Sequence, residues 1–160
     1  MNSVLRLMLE GENLSPAQMA KVLGKDLAAI DAELAQLKAE GTLLGWRPVL
    51  HPQTAAADQV RAVIEVKVTP EREGGFDRTA ERVSRFAEVE SCYLMSGGFD
   101  LLVVVRGPTL LDIARFVSER LATIPGVVST ASHFQLRAYK ESGFEIPRDR
   151  RDPDKPAISP

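Results

Sequence analysis

The stretch ESCYLMSGGFDLLVVVRG, residues 90–107, sets two apolar runs on either side of Gly97-Gly98. Runs of valine, leucine and aromatic residues bounded by glycine read as strands. The glycine pair reads as the hairpin turn between them, because tight hairpin turns need a positive φ that glycine adopts without steric cost. Asp100 is the exception, a carboxylate heading a run that otherwise belongs in a core. It either caps its own turn or belongs to a site.

Working outward, the flanking segments complete a pattern. VRAVIEVKVT alternates, with Val60, Ala62, Ile64, Val66 and Val68 on one side, and predicts a half-buried strand. FDRTAERVSRFAE places Phe76, Ala80, Val83 and Ala87 on one face of a helix, and LLDIARFVSERLATI forms a second amphipathic helix stopped by Pro125-Gly126. STASHFQLRAYK alternates again, with Phe134, Leu136 and Ala138 inward. The order β-α-β-β-α-β is the ferredoxin-like arrangement. It covers one sheet face with helices and leaves the other to be hidden by a partner, most simply in a homodimer. Tyr93, Met95, Val103 and Val105 are candidates for either face, depending on register.

The first fifty residues follow a helical period instead. Val4, Leu5, Met8 and Leu9 form a short stripe ended by Gly11 and Asn13. SPAQMAKVLG has Ser15 as N-cap, Pro16 at the first helical position, Gln18 closing a capping box and Gly24 as the stop. DLAAIDAELAQLKAEG follows, with Asp26 as N-cap, Leu27, Ile30, Leu34 and Leu37 inward, and Gly41 at the end. Two capped helices around a glycine turn are the helix-turn-helix pattern. TLLGWRPVL then supplies a strand-like wing, in which Trp46 packs as core or interface. The expected class is therefore α+β: a winged helix-turn-helix over 1–50, a linker over 51–59, a ferredoxin-like βαββαβ domain over 60–143, and a proline-rich charged tail over 144–160. That tail is solvated or lies along a neighbouring subunit.

Composition narrows the function classes. The chain has 160 residues, 44% hydrophobic and 26% charged, with a net charge of −2. It therefore lacks the basic excess of a general nucleic-acid binder, though not a local basic patch. Its single cysteine, Cys92, reads as a small buried residue in a reducing compartment. The N-terminus is too short and too quickly acidic for a signal peptide, and no apolar run reaches bilayer length, so a soluble cytoplasmic protein is expected. His51 and His133 have no cysteine or carboxylate at ligand spacing, so no metal is expected. Nor is there a nucleophile–base spacing or a phosphate-binding glycine loop, so neither an enzyme nor a cofactor is expected.

The helix-turn-helix, the linker, ESCYLMSGGFDLLVVVRG and IPGVVSTASHF together resemble the leucine-responsive/asparagine-responsive (Lrp/AsnC) family of regulators, over roughly Val4 to Gly143. The resemblance implies a C-terminal effector-sensing domain, often called RAM. It implies dimers joined through their sheets, assembly to octamers, and amino-acid effectors bound where dimers meet. Carried onto this chain, the effector site would comprise Ser96, Gly97, Gly98, Phe99 and Asp100, with a looser match at Thr130 and Ser132. The chemistry is compatible: glycines let backbone N–H groups approach a carboxylate, and an aspartate pairs with an α-ammonium. On this reading Asp100→Ala leaves the fold nearly intact and abolishes the effector response.

The helix that would read DNA departs from the pattern. Asp26 to Glu40 holds Asp26, Asp31, Glu33 and Glu40 but only one base, Lys38. Phosphate contacts need cations. Lys21 and Lys25 near its start, Arg6 in the first helix and Arg47 on the wing are the available ones. Among the possible base-facing positions Ala28, Ala29, Ala32 and Glu33, only Glu33 can specify a base, by accepting from cytosine. Two functions follow: an effector-responsive DNA-binding regulator, or a sensing or interaction module of the same family whose helix-turn-helix no longer contacts double-stranded DNA.

Overall fold

The computed structural model describes residues 2–11, 13–51, 59–70, 72 and 74–147. Most of the expected linker and of the charged tail lies outside these residues. The chain divides into two compact units, Met1–Pro48 and Val49–Pro160.

The first unit is three helices, α1 (Ser3–Leu9), α2 (Pro16–Leu23) and α3 (Leu27–Ala39). Their boundaries follow local chemistry. The Ser15 hydroxyl accepts from Gln18 N–H, and the Gln18 side chain accepts from Ser15 N–H at 2.8 Å, so the capping box is complete. Gly24 ends α2 in the left-handed conformation at φ 62°. Asp26 sits at the N-cap of α3 but makes no side-chain capping bond. Val4, Met19, Ala20, Ile30 and Leu37 form the buried core, with Leu34 packed against it. Leu27, expected inward, is 48% exposed. It occupies the first turn of α3, ahead of the Ile30–Leu37 stripe that meets the other helices.

Thr42–Leu50, expected as a strand-like wing, contains no strand. Leu43 folds back on the helical core, its N–H donating to Leu37 C=O at 2.9 Å. Leu44 and Trp46 are exposed, so Trp46 is not core within its own unit. A wing strand needs a second strand to pair with, and among the described residues this segment is paired with none.

The second unit has the order β1 (Val60–Val68), α4 (Asp77–Ser84), β2 (Val89–Leu94), β3 (Leu101–Gly107), α5 (Leu110–Arg115) continuing as a π-helical segment (Phe116–Leu121), and β4 (Val127–Phe134). A two-stranded ribbon, β5 (Lys140–Glu141) and β6 (Phe144–Glu145), follows. The main sheet is antiparallel in the spatial order β2-β3-β1-β4. Period-2 alternation works as read on β1: Ala62, Ile64, Val66 and Val68 are buried with Leu101, Val103 and Val105 of β3 under Val83, Ile113, Phe116, Val117 and Leu121. Each such aliphatic side chain contributes about 1.5–3 kcal/mol on burial. Val103 and Val105 therefore belong to the helix-covered face. The other face carries Val63 opposite Val104 and Tyr93 opposite Leu102. Around them Glu90 holds both Arg61 and Arg106, and Glu65 pairs with His133 at 3.2 Å.

Three expected helix and strand details change. Ala87 is exposed because α4 stops at Ser84, and Thr79 takes an inward position instead. The second helix of this unit is not uniformly α: Ala122 N–H donates to Val117 C=O at 2.8 Å, the i→i+5 bond of a π turn. β4 ends at Phe134, and Leu136, expected inward, is 96% exposed. The reason is register. Phe134 lies opposite Ala62, so Leu136 falls level with Val60, where β1 begins and backbone partners run out.

Candidate effector site and helical unit

The glycine-rich turn is longer than a two-residue hairpin. β2 and β3 are last paired at Leu94 and Leu101, and Met95 N–H donates to Asp100 C=O at 2.8 Å, leaving Ser96–Phe99 as a four-residue loop. Gly97 has φ 126°, which favours glycine. Gly98 has no positive φ, and nothing lies within 4 Å of where its Cβ would sit. Turn geometry thus explains Gly97 and leaves Gly98 unexplained within the chain. The bare backbone there faces open space.

Asp100 is half-buried and fixed at three points. Its N–H donates to Val66 C=O at 3.0 Å, its C=O accepts from Met95, and its carboxylate Oδ2 accepts from Val68 N–H at 2.8 Å. That last bond has a local cause. Val68 lies beyond the last β1–β3 pair, Val66 with Leu101, so its N–H has no ladder acceptor on β3, and the carboxylate supplies one. The acid therefore caps the end of the neighbouring strand, not its own turn. Oδ1 is not engaged in that bond. Continuing the β1–β3 register by one position brings Lys67, which is exposed, opposite Asp100. The Val68 partner carries no signal in VRAVIEVKVT, so the sequence alone does not reveal it.

Thr130 and Ser132 are not gathered with the loop. They lie on β4 opposite Val66 and Ile64, with β1 between them and β3. Two strand spacings separate Thr130 from Leu101, about 10 Å. Among the described residues neither hydroxyl is hydrogen-bonded to the loop. One chain thus brings Ser96–Asp100 together and leaves Thr130 and Ser132 apart.

Cys92 sits half-buried on β2, beside the core, and burial pushes its thiol up while a hydrogen bond with Ser84 pulls the other way. A raised thiol is a poor nucleophile, which fits a packing residue. Among the described residues no group of histidine, cysteine and carboxylate side chains is arranged to hold a metal ion. No helix there is long and apolar enough to cross a membrane.

In the helical unit the six residues singled out for DNA separate into two kinds. Lys25 Nζ donates to Ser3 Oγ at 2.9 Å and is paired with Glu33, so these two neutralise each other. Arg6 pairs with Glu10 at 3.5 Å along α1, an exposed contact of small energy. Arg47 is exposed and engaged within the chain. Lys21 and Lys38 are exposed and carry no ion pair among the described residues. Ala28, Ala29 and Ala32 are all exposed on α3, so this face of the helix is free of bulk and of charge.

Comparison with known proteins places these features. The Lrp/AsnC ligand binding domain family matches residues 61–143. The chain is 40% identical over 141 residues to the HTH-type transcriptional regulator YugG of Bacillus subtilis, covering 88% of this chain and 85% of that protein. It is 31% identical over 141 residues to a proline dehydrogenase transcriptional activator of Rhizobium radiobacter, covering 88% and 90%. In fold it matches a transcriptional regulator of Neisseria meningitidis solved in complex with L-Met. The TM-score is 0.64 at 21% identity, covering 91% of this chain and 92% of the other.

Proposed function

The chain belongs to the Lrp/AsnC family of transcriptional regulators, and on that premise we propose that it binds operator DNA through its helical unit and responds to an amino acid through its second unit. The observation that carries the effector half is Gly98, which needs no positive φ and has nothing within 4 Å of where a Cβ would sit, two residues before Asp100. An α-amino acid needs N–H donors and a carboxylate, a few ångströms apart. That a regulator of the same fold is described as an L-Met complex supports this ligand class.

In this reading Ser96, Gly97, Gly98, Phe99 and Asp100 form one wall of the site, and Thr130 and Ser132 reach it from another subunit. The uncovered sheet face, with Val63, Leu102, Val104 and Tyr93, pairs with a second copy, and dimers assemble further. Effector binding between subunits then changes the balance of assemblies and the spacing of their DNA-binding units. The helical unit works as a winged helix-turn-helix whose wing strand forms only against a partner. Lys21 and Lys38 supply its phosphate contacts, Arg6 and Arg47 lie at the margins, and Ala28, Ala29 and Ala32 offer methyl contacts in the major groove.

The Lys25–Glu33 pair favours a second reading, a sensing module with weakened DNA contact, since it removes one cation and the one base-reading acid. Binding to fragmented genomic DNA across a salt series separates the two. The regulator reading expects salt-dependent affinity, with Lys21→Ala reducing the slope of log K against log salt by about one. Undetectable binding at low salt, with no fragments recovered, sinks the regulator reading and leaves the module.

A further inference from the structure

A groove of about 340 Å³ opens between the end of β3 and the helix formed by α5 and the π segment, within the second unit and sharing no residue with the glycine-rich loop. Its floor is apolar: Val105, Ile113 and Phe116 are all buried. Its rim is charged, with Arg106, Arg115 and Arg120 beside Glu88, Asp112 and Glu119. Arg120 is held flat 4.5 Å over the Phe86 ring and paired with Glu88. Arg115 is exposed and has no ion pair among the described residues. The two arginines are five residues apart, and the i→i+5 bonding of the π segment that begins after Arg115 keeps residues at that spacing near each other along the axis. An unbroken α-helix, with i→i+4 bonding, turns such a pair further apart. Widened turns of this sort occur mostly at functional sites.

We propose that this groove binds a small organic monocarboxylate with an apolar body. The volume is at the low end for small-molecule sites, and an apolar floor with a few convergent polar groups is their usual construction. A carboxylate fits the guanidinium fork of Arg115, which has no ion pair among the described residues, whereas Arg120 is committed to Glu88. The apolar body lies on Ile113 and Phe116. The acids on the same rim, Glu88, Asp112 and Glu119, set the charge of the ligand. They repel a second negative group and so exclude phosphorylated molecules and dicarboxylates. Arg106 also borders the groove, but its guanidinium is committed to Glu90 through two hydrogen bonds.

The test is calorimetric titration of the full chain with 3-phenylpropionate. Saturable binding is expected, weakened about tenfold or more by Arg115→Ala and partly kept by Arg115→Lys. The neutral analogue 3-phenylpropanol should bind about tenfold more weakly than the acid. Because Arg115 is exposed, Arg115→Ala should melt like the wild type. Asp100→Asn should bind the acid unchanged, which separates this groove from the proposed amino-acid site. Absence of saturable heat, equal affinity in Arg115→Ala, or equal affinity for the alcohol each overturns the proposal.

Discussion

Asp100 serves the fold through one carboxylate oxygen, and the proposed site asks its other oxygen to meet a ligand. One oxygen caps the Val68 N–H where the β1–β3 ladder has ended, while the other takes no part in that bond. Removing the side chain leaves a part-buried N–H without its acceptor, a cost of about 1–3 kcal/mol. Asp100→Ala should therefore lower thermal stability and speed amide exchange at Val68, contrary to the expectation of a nearly silent change. Asp100→Asn should restore most of both, because its side-chain oxygen still accepts. A melting temperature of Asp100→Ala equal to wild type would show that the bond is not stabilising. The oddity of Asp100 was legible in its setting, an acid at the head of a valine run. Its partner was not, because it depends on where the pairing of β1 with β3 ends, which leaves no mark in composition. Gly97 and Gly98 looked alike in sequence, and only their backbone angles separate the turn requirement at 97 from the unexplained gap at 98.

Elements whose limits are set locally were the readable ones. The Ser15–Gln18 capping box and the Gly24 stop fix α2 through bonds made within a few residues. Ser15→Ala should destabilise the helical unit by about 1 kcal/mol, measured as a shift in the chemical denaturation midpoint. A midpoint unchanged from wild type would mean the cap is idle. The alternation of β1 was equally plain, since its residues report directly which face is buried. Elements limited by distant partners were not. β4 ends at Phe134 because β1 begins at Val60, a fact absent from STASHFQLRAYK itself. The π segment arises inside a sequence whose apolar spacing reads as one α-helix. Thr42–Leu50 has strand composition and no strand, since pairing needs a neighbouring strand and it is paired with none among the described residues.

At the scale of the whole molecule, the two units carry different chemistry. The helical unit presents few unpaired cations, while the second unit has a sheet face bearing Tyr93, Leu102, Val63 and Val104 within a frame of ion pairs. Tyr93 is exposed on this face while Val104 is already buried, and in the proposed assembly a second copy covers Tyr93. Light scattering at micromolar concentration should give a dimer or larger mass, and Tyr93→Glu, at a 53% exposed position, should reduce it to the monomer while leaving the circular dichroism unchanged. A monomeric wild type would contradict that arrangement. The central claim remains that the second unit senses an amino acid at the glycine-rich loop. Its most direct test is thermal unfolding of the wild type and of Gly98→Val in the presence of each of the twenty amino acids. The substitution should be silent without ligand, since the position has room for a side chain and needs no positive φ. A bound effector stabilises the wild type by RT ln(1 + [L]/Kd), about 2.7 kcal/mol at a hundredfold excess over Kd. At least one amino acid should raise the wild-type melting temperature saturably and leave Gly98→Val unmoved. No shift with any of the twenty, or an equal shift in the variant, would contradict the claim.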